Sequence, residues 1–147
     1  MTLGGYTRDE LRQSYSDAWK RRLAGSPLTP LESMIADVIE RHPQYQALVA
    51  DPQAARALES TATEHNPFLH MGLHLAVREQ LSIDRPPGIR ELHRSLTCRL
   101  GGEHSAEHAL MESLAQALWE AQRATRAPDE ARYLELVRSR LGALGAR

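Results

Sequence analysis

Histidine is the residue type whose spacing in this sequence most strongly suggests chemistry. Seven histidines occur among the 147 residues, and five of them lie between His70 and His108. Four of these five form two His-x-x-x-His pairs, His70 with His74 and His104 with His108. Residues four apart on a helix lie on one face, so each pair suits two ligands of one metal ion. The spacing lacks the Glu of the His-Glu-x-x-His zinc-protease pattern, so that chemistry is not indicated.

We expect His70, His74, His104 and His108 together to bind one divalent transition-metal ion, and His93 and Glu112 are the candidates for accessory ligands. If the helices that carry the two pairs run parallel, the second histidines lie ~10 Å and ~7 Å above the helix starts, at the same end of a bundle. His93 and Glu112 come to a similar height. This ligand set, mostly nitrogen with one carboxylate, suits Zn, Fe or Ni better than Mg or Ca. Any catalysis would then be metal-assisted hydrolysis or group transfer on a small-molecule substrate that the sequence does not identify.

The histidines also have a metal-free interpretation. Buried imidazoles must satisfy their polar nitrogens, and a hydrogen-bonded histidine layer does so without an ion. The chain is then a helical interaction or dimerisation module, a homodimer whose interface is supplied by Trp19 or Trp119. Acid–base chemistry by a neutral histidine, without metal, is a further alternative.

The elements that must position these residues are helices. Leu and Ala together supply 41 residues, whereas Val and Ile supply 8, and helices favour the first pair while strands favour β-branched residues. Capping boxes at Thr7–Glu10 and Thr29–Glu32 mark two helix starts, and prolines and glycines mark the ends. The predicted helices cover about 8–23, 30–41, 66–83, 88–100, 103–124 and 128–141, with short helices after Pro43 and Pro52 and a surface connection over 59–65.

The fold class predicted from this pattern is all-α. We expect one domain over 1–147, a helical bundle of about six helices with short loops marked by Pro and Gly, and frayed ends at about 1–6 and 142–147.

Composition excludes several classes of partner and of stabilising bond. Cys98 is the only cysteine, so neither an internal disulfide nor a cysteine-rich zinc site is available. The 18 basic and 19 acidic residues give a net charge of -1, which provides no electrostatic reason to expect nucleic acid. No apolar run approaches the ~20 residues of a membrane span, and the N-terminus has no signal-peptide core. We therefore expect a cytoplasmic protein that does not bind membranes.

Three stretches of the sequence together resemble a known family. They are LTPLESMIADVIERHPQY, NPFLHMGLHLAVREQLSIDRPPGIR and GGEHSAEHALMESLAQALWEAQR, and a later Tyr133-Leu134 extends the similarity over most of the chain. They resemble DUF1841, a proteobacterial family of unknown function. The resemblance places the four paired histidines, Asn66, Pro67 and Glu79-Gln80 on the family's own positions. Met111-Glu112-Ser113 departs from the family's usual Met-Glu-Cys. The family carries no established activity, so the resemblance implies no reaction.

Overall fold

The computed structural model describes residues 8–51 and 67–145, and every regular element in these ranges is helical. The all-α prediction is therefore confirmed. The predicted Thr7 capping box, the helix after Pro52, the connection over 59–65 and the frayed residues 1–6 lie outside the described residues. The described elements are α1 (Arg8–Ala24), α2 (Pro30–Glu40), a 3₁₀ turn (Pro43–Tyr45), α3 (Gln46–Ala50), α4 (Pro67–Ile83), α5 (Ile89–Leu100), α6 (Glu103–Arg123) and α7 (Glu130–Gly145).

The chain divides into two compact units, and the boundary lies between Leu75 and Ala76, inside α4. Each unit is described by itself below. The single domain over 1–147 stays a prediction.

In the N-terminal unit, helix α2 begins with the capping box that the sequence predicts. The Thr29 hydroxyl accepts a hydrogen bond from the Glu32 amide at 3.1 Å, and the Glu32 carboxylate accepts one from the Thr29 amide at 2.9 Å. These reciprocal bonds satisfy amides that the first turn of a helix leaves without intrahelical partners. Helix α1 packs against α2 and α3. The apolar core comprises Tyr15, Ala18, Trp19, Ile35, Val38, Ile39, Val49, Phe68, Met71 and Leu75.

The C-terminal unit packs α5, α6 and α7 against one another. Its larger buried apolar side chains are Val77, Ile89, Leu96, Leu110, Met111, Leu114 and Val137. One buried polar contact joins helix α7 to α4, where the Tyr133 hydroxyl donates to the Gln80 side-chain oxygen at 2.7 Å. The turn before α5 places Asp84 and Gly88 at φ 53° and 97°, in the left-handed region.

Helix α7 is longer than the sequence predicts. We expected it to end near Leu141, but it continues through Gly142 to Gly145. A glycine in a helix costs about 1 kcal/mol relative to alanine, yet it keeps its amide donor and does not force the helix to end.

None of the described helices has the length and apolar character needed to cross a membrane.

Candidate metal-binding histidines

His42 is held in place by the way α2 ends. The residue before a proline is excluded from the helical region, and His42, which precedes Pro43, has φ -125° and ψ 70°. Its side chain folds back over the last turn of α2, where Nδ1 lies 2.7 Å from the carbonyl oxygen of Val38. The ring is 3% exposed. A carbonyl oxygen only accepts hydrogen bonds, so Nδ1 is the nitrogen that carries the proton.

This hydrogen bond leaves Nε2 of His42 as the nitrogen with a lone pair when the ring is neutral. Nε2 of His70 lies 3.0 Å from it. The two rings meet edge to face, with centroids 4.8 Å apart and planes at 76°. Without an ion, the contact is a hydrogen bond in which the Nε2–H of His70 donates to His42.

His74 completes the histidines of the N-terminal unit. It is fully buried one turn after His70 on α4, and its ring centroid lies 5.3 Å from that of His42. His42 and His74 each offer a nitrogen, and these nitrogens lie within 4.8 Å of one another. His42 therefore contacts both members of the first His-x-x-x-His pair. We call His42, His70 and His74 the His42 group.

Sequence analysis did not identify His42 as a candidate ligand. It treated His42-Pro43 only as the end of a helix. The available signal was the spacing from Val38, because a histidine just past a helix end reaches a carbonyl of the last turn that lacks an intrahelical partner.

The second pair lies in the C-terminal unit, in the first two turns of α6. The rings of His104 and His108 have centroids 4.3 Å apart. Glu107 lies between them in sequence and is 5% exposed. One of its carboxylate oxygens lies within 4.8 Å of a His104 nitrogen. We call His104, Glu107 and His108 the His104 group.

Arg78 of α4 forms an ion pair with Glu107, with 3.3 Å between its Nε and Oε1 of the carboxylate. Sequence analysis proposed Glu112 as the carboxylate of the site. Glu112 instead pairs with Arg140 of α7, and its side chain is 64% exposed. Sequence analysis missed Glu107, although its position between His104 and His108 was a signal in the sequence itself.

His93 of α5 is half-buried, and no hydrogen-bond partner for its buried Nε2 occurs among the described residues. Its assignment as an accessory ligand stays a prediction, as does the sharing of a single ion by the two His-x-x-x-His pairs.

The two tryptophans differ in exposure. Trp19 is buried in the core of the N-terminal unit, so it is not available to a partner, contrary to one of the two interface predictions. Trp119 of α6 is 55% exposed.

Comparison with known proteins identifies the family. A family model described as "Domain of unknown function (DUF1841)" matches residues 7–139. The chain belongs to this family. The resemblance noted in the sequence is therefore confirmed, and the DUF1841 match includes both histidine groups. No curated protein and no solved structure matches this DUF1841 chain significantly.

Proposed function

We propose that this DUF1841 protein binds a divalent transition-metal ion through its clustered imidazoles, and that the His42 group supplies ligands. The observation that carries the proposal is the 3.0 Å separation between Nε2 of His42 and Nε2 of His70, combined with the bond from Nδ1 of His42 to Val38.

The separation between the two nitrogens is close to that of a metal chelate. Two nitrogens bound to one tetrahedral zinc at ~2.0–2.1 Å lie about 3.3 Å apart. The His42 and His70 nitrogens need to separate by a few tenths of an ångström, and the rings must turn so that both lone pairs converge on the ion, to reach this geometry. Metal binding also requires His70 to present a lone pair, so its proton must leave Nε2.

The hydrogen bond at the other ring nitrogen of His42, Nδ1, supports the same function. Histidines that bind metals almost always donate their other ring N–H to a carboxylate, a carbonyl or water, which fixes the tautomer and the orientation of the ring. The Val38 carbonyl fills this role for His42. His74 is a further nitrogen ligand within reach of His42. All-nitrogen donors favour Zn, Fe or Ni over Mg or Ca.

Zinc binding by untagged protein tests the proposal. We expect near-stoichiometric metal after purification, measured by inductively coupled plasma mass spectrometry. Added zinc at 100 times its Kd stabilises the folded state by about 2.7 kcal/mol. For a chain of this size, that corresponds to a rise in Tm of about 5–10 °C.

His70→Gln is the informative variant, because the glutamine amide still donates a hydrogen bond to His42 but is a poor metal ligand. We expect it to fold and to lose most of the zinc-dependent rise in Tm. Leu69→Gln is the matched control, since Leu69 is the exposed neighbour on α4. An untagged wild-type protein without bound metal and without a zinc-dependent change in Tm would show the proposal to be wrong.

The second candidate function is a metal-free interaction module. The exposed Trp119, over whose ring Arg123 places its guanidinium at 5.0 Å, favours it. In this alternative the His42–His70 contact is a structural N–H···N hydrogen bond. His70→Gln separates the two functions, because it keeps that bond and removes the chelate.

A further inference from the structure

The His104 group has a spacing that sequence analysis did not recognise. Residues 104–108 read His-Ser-Ala-Glu-His, the inverted form of the zinc-protease pattern, His-x-x-Glu-His. In hydrolases with such paired histidines on a helix, the two imidazoles bind zinc and the glutamate accepts a proton from water. All three side chains lie in the first two turns of α6.

We propose that Glu107 is the proton-accepting carboxylate of a metal-dependent hydrolytic site in the C-terminal unit, with His104 and His108 as metal ligands. The inference rests on the proposed function, because it requires that imidazoles of this protein bind a transition metal. It adds a reaction class and a residue with a defined role in that reaction.

The position of Glu107 suits a group that contacts metal-bound water. One of its carboxylate oxygens lies within 4.8 Å of a His104 nitrogen, so the carboxylate is close enough to contact a water molecule on an ion held by that imidazole. The ion pair with Arg78 compensates the charge of this buried carboxylate.

The surroundings of the two imidazoles allow a substrate to approach. His104 is exposed and His108 is half-buried, so an ion bound to them is open to solvent on the His104 side. Two imidazoles occupy two of four tetrahedral positions, and catalytic zinc sites keep at least one position for water. A carboxylic ester is the simplest substrate class for this arrangement.

The reaction balances with water as the only co-reactant. Metal-bound water gives a proton to the Glu107 carboxylate, and the hydroxide attacks the ester carbonyl carbon. The bond between that carbon and the alcohol oxygen breaks. The Glu107 carboxylic acid then returns the proton to the leaving oxygen, which releases an acid and an alcohol.

Hydrolysis of 4-nitrophenyl acetate by zinc-loaded full-length protein tests the inference. We expect a rate that is lost on adding EDTA and restored by zinc. Glu107→Gln should keep bound zinc and lower the metal-dependent rate by ~10²–10⁴-fold. His104→Ala/His108→Ala should remove the metal-dependent rate. Glu103→Gln changes an exposed carboxylate one turn before Glu107 on α6 and should leave the rate unchanged.

Each contrary result has a distinct meaning. A protein that binds zinc but shows no zinc-dependent hydrolysis, or whose Glu107→Gln variant keeps the full rate, overturns the inference and leaves metal binding intact. Loss of zinc in Glu107→Gln makes Glu107 a ligand and also overturns it. A wild type that binds no metal overturns the proposed function itself.

Glu107→Asp keeps the charge beside Arg78 but withdraws the carboxylate by one methylene. If Glu107→Gln does not fold, as judged by circular dichroism, Glu107→Asp provides the measurement. We expect a folded, zinc-binding protein with a rate reduced by at least tenfold, about 1.4 kcal/mol in the barrier. An unreduced rate would rule out the assigned role.

Discussion

At the scale of single residues, hydrogen bonds decide which histidine nitrogens are available for chemistry. The hydrogen bond to the Val38 carbonyl places the proton of His42 on Nδ1. The same bond orients the ring so that Nε2 faces His70. The sequence predicted that His70 and His74 share a helix face. It did not identify His42, whose signal was the spacing from Val38. It also did not identify Glu107, whose ion pair depends on a guanidinium that the fold brings near.

Tyr133 offers a residue-scale test of the core of the C-terminal unit. Burial raises the pKa of its hydroxyl well above the ordinary value, and this hydroxyl donates to the side-chain oxygen of Gln80. We expect Tyr133→Phe to lower the free energy of unfolding by about 1–2 kcal/mol, because it leaves a buried acceptor without its donor. Urea denaturation measures the change.

Gln80→Leu supplies the control, since it removes the acceptor as well. The double variant should cost less than the sum of the two single variants, because the stranded polar group is then absent. Strictly additive free energies would show that the Tyr133–Gln80 hydrogen bond does not contribute in this way.

At the scale of elements, capping residues, prolines and turn residues explain most of the helix boundaries. Thr29-Pro30 and His42-Pro43 flank α2 as predicted, and the Asp84 turn ends α4 within a residue of its predicted end. The extension of α7 shows the limit of this approach, because glycine weakens a helix but does not terminate it. Long-range features, such as the Arg78–Glu107 ion pair, have no comparable local signal.

The carboxylate of Asp84 is hydrogen-bonded to the start of α5. Its carboxylate accepts hydrogen bonds from the amides of Arg90 at 3.0 Å and Gly88 at 3.4 Å. The Arg90 bond is the main cause that lowers the pKa of Asp84 below its ordinary value of 3.8. Asp84→Asn keeps a residue that tolerates the left-handed φ, so it tests the charge alone.

We expect Asp84→Asn to lower Tm by a few degrees at neutral pH. Because the native pKa is depressed, the unfolded chain binds more protons in mild acid, so the stabilisation is present above about pH 3.8. It is lost as the pH falls through the native pKa. Differential scanning calorimetry at several pH values should show the wild-type and variant curves converging in acid. A constant difference would mean that the charge is not responsible.

At the scale of the whole molecule, exposed aromatic surface bears on self-association. Trp119 is 55% exposed on α6, whereas most large apolar side chains among the described residues are buried. Tryptophan is enriched among residues that dominate interface energies. Of the two tryptophans proposed from the sequence for a homodimer interface, Trp119 is therefore the one that remains a candidate.

Sedimentation velocity over a range of protein concentrations tests this surface. If Trp119 lies in a dimer interface, Trp119→Ala should weaken the dimer by at least tenfold in Kd, or about 1.4 kcal/mol. Leu23→Ala, at another exposed apolar position, is the control. A wild type that stays monomeric at the highest concentration would exclude this role for Trp119.

The lone thiol of Cys98 is exposed on α5. In an air-oxidised preparation, two chains can join through these sulfurs and form a covalent pair that has nothing to do with Trp119. The same sulfur, once deprotonated, is a soft donor that attracts adventitious zinc. Cys98→Ser therefore removes both effects from the zinc-binding and dimerisation measurements. A non-reducing gel of the unsubstituted protein shows whether a disulfide-linked dimer forms, and so whether those measurements need this variant.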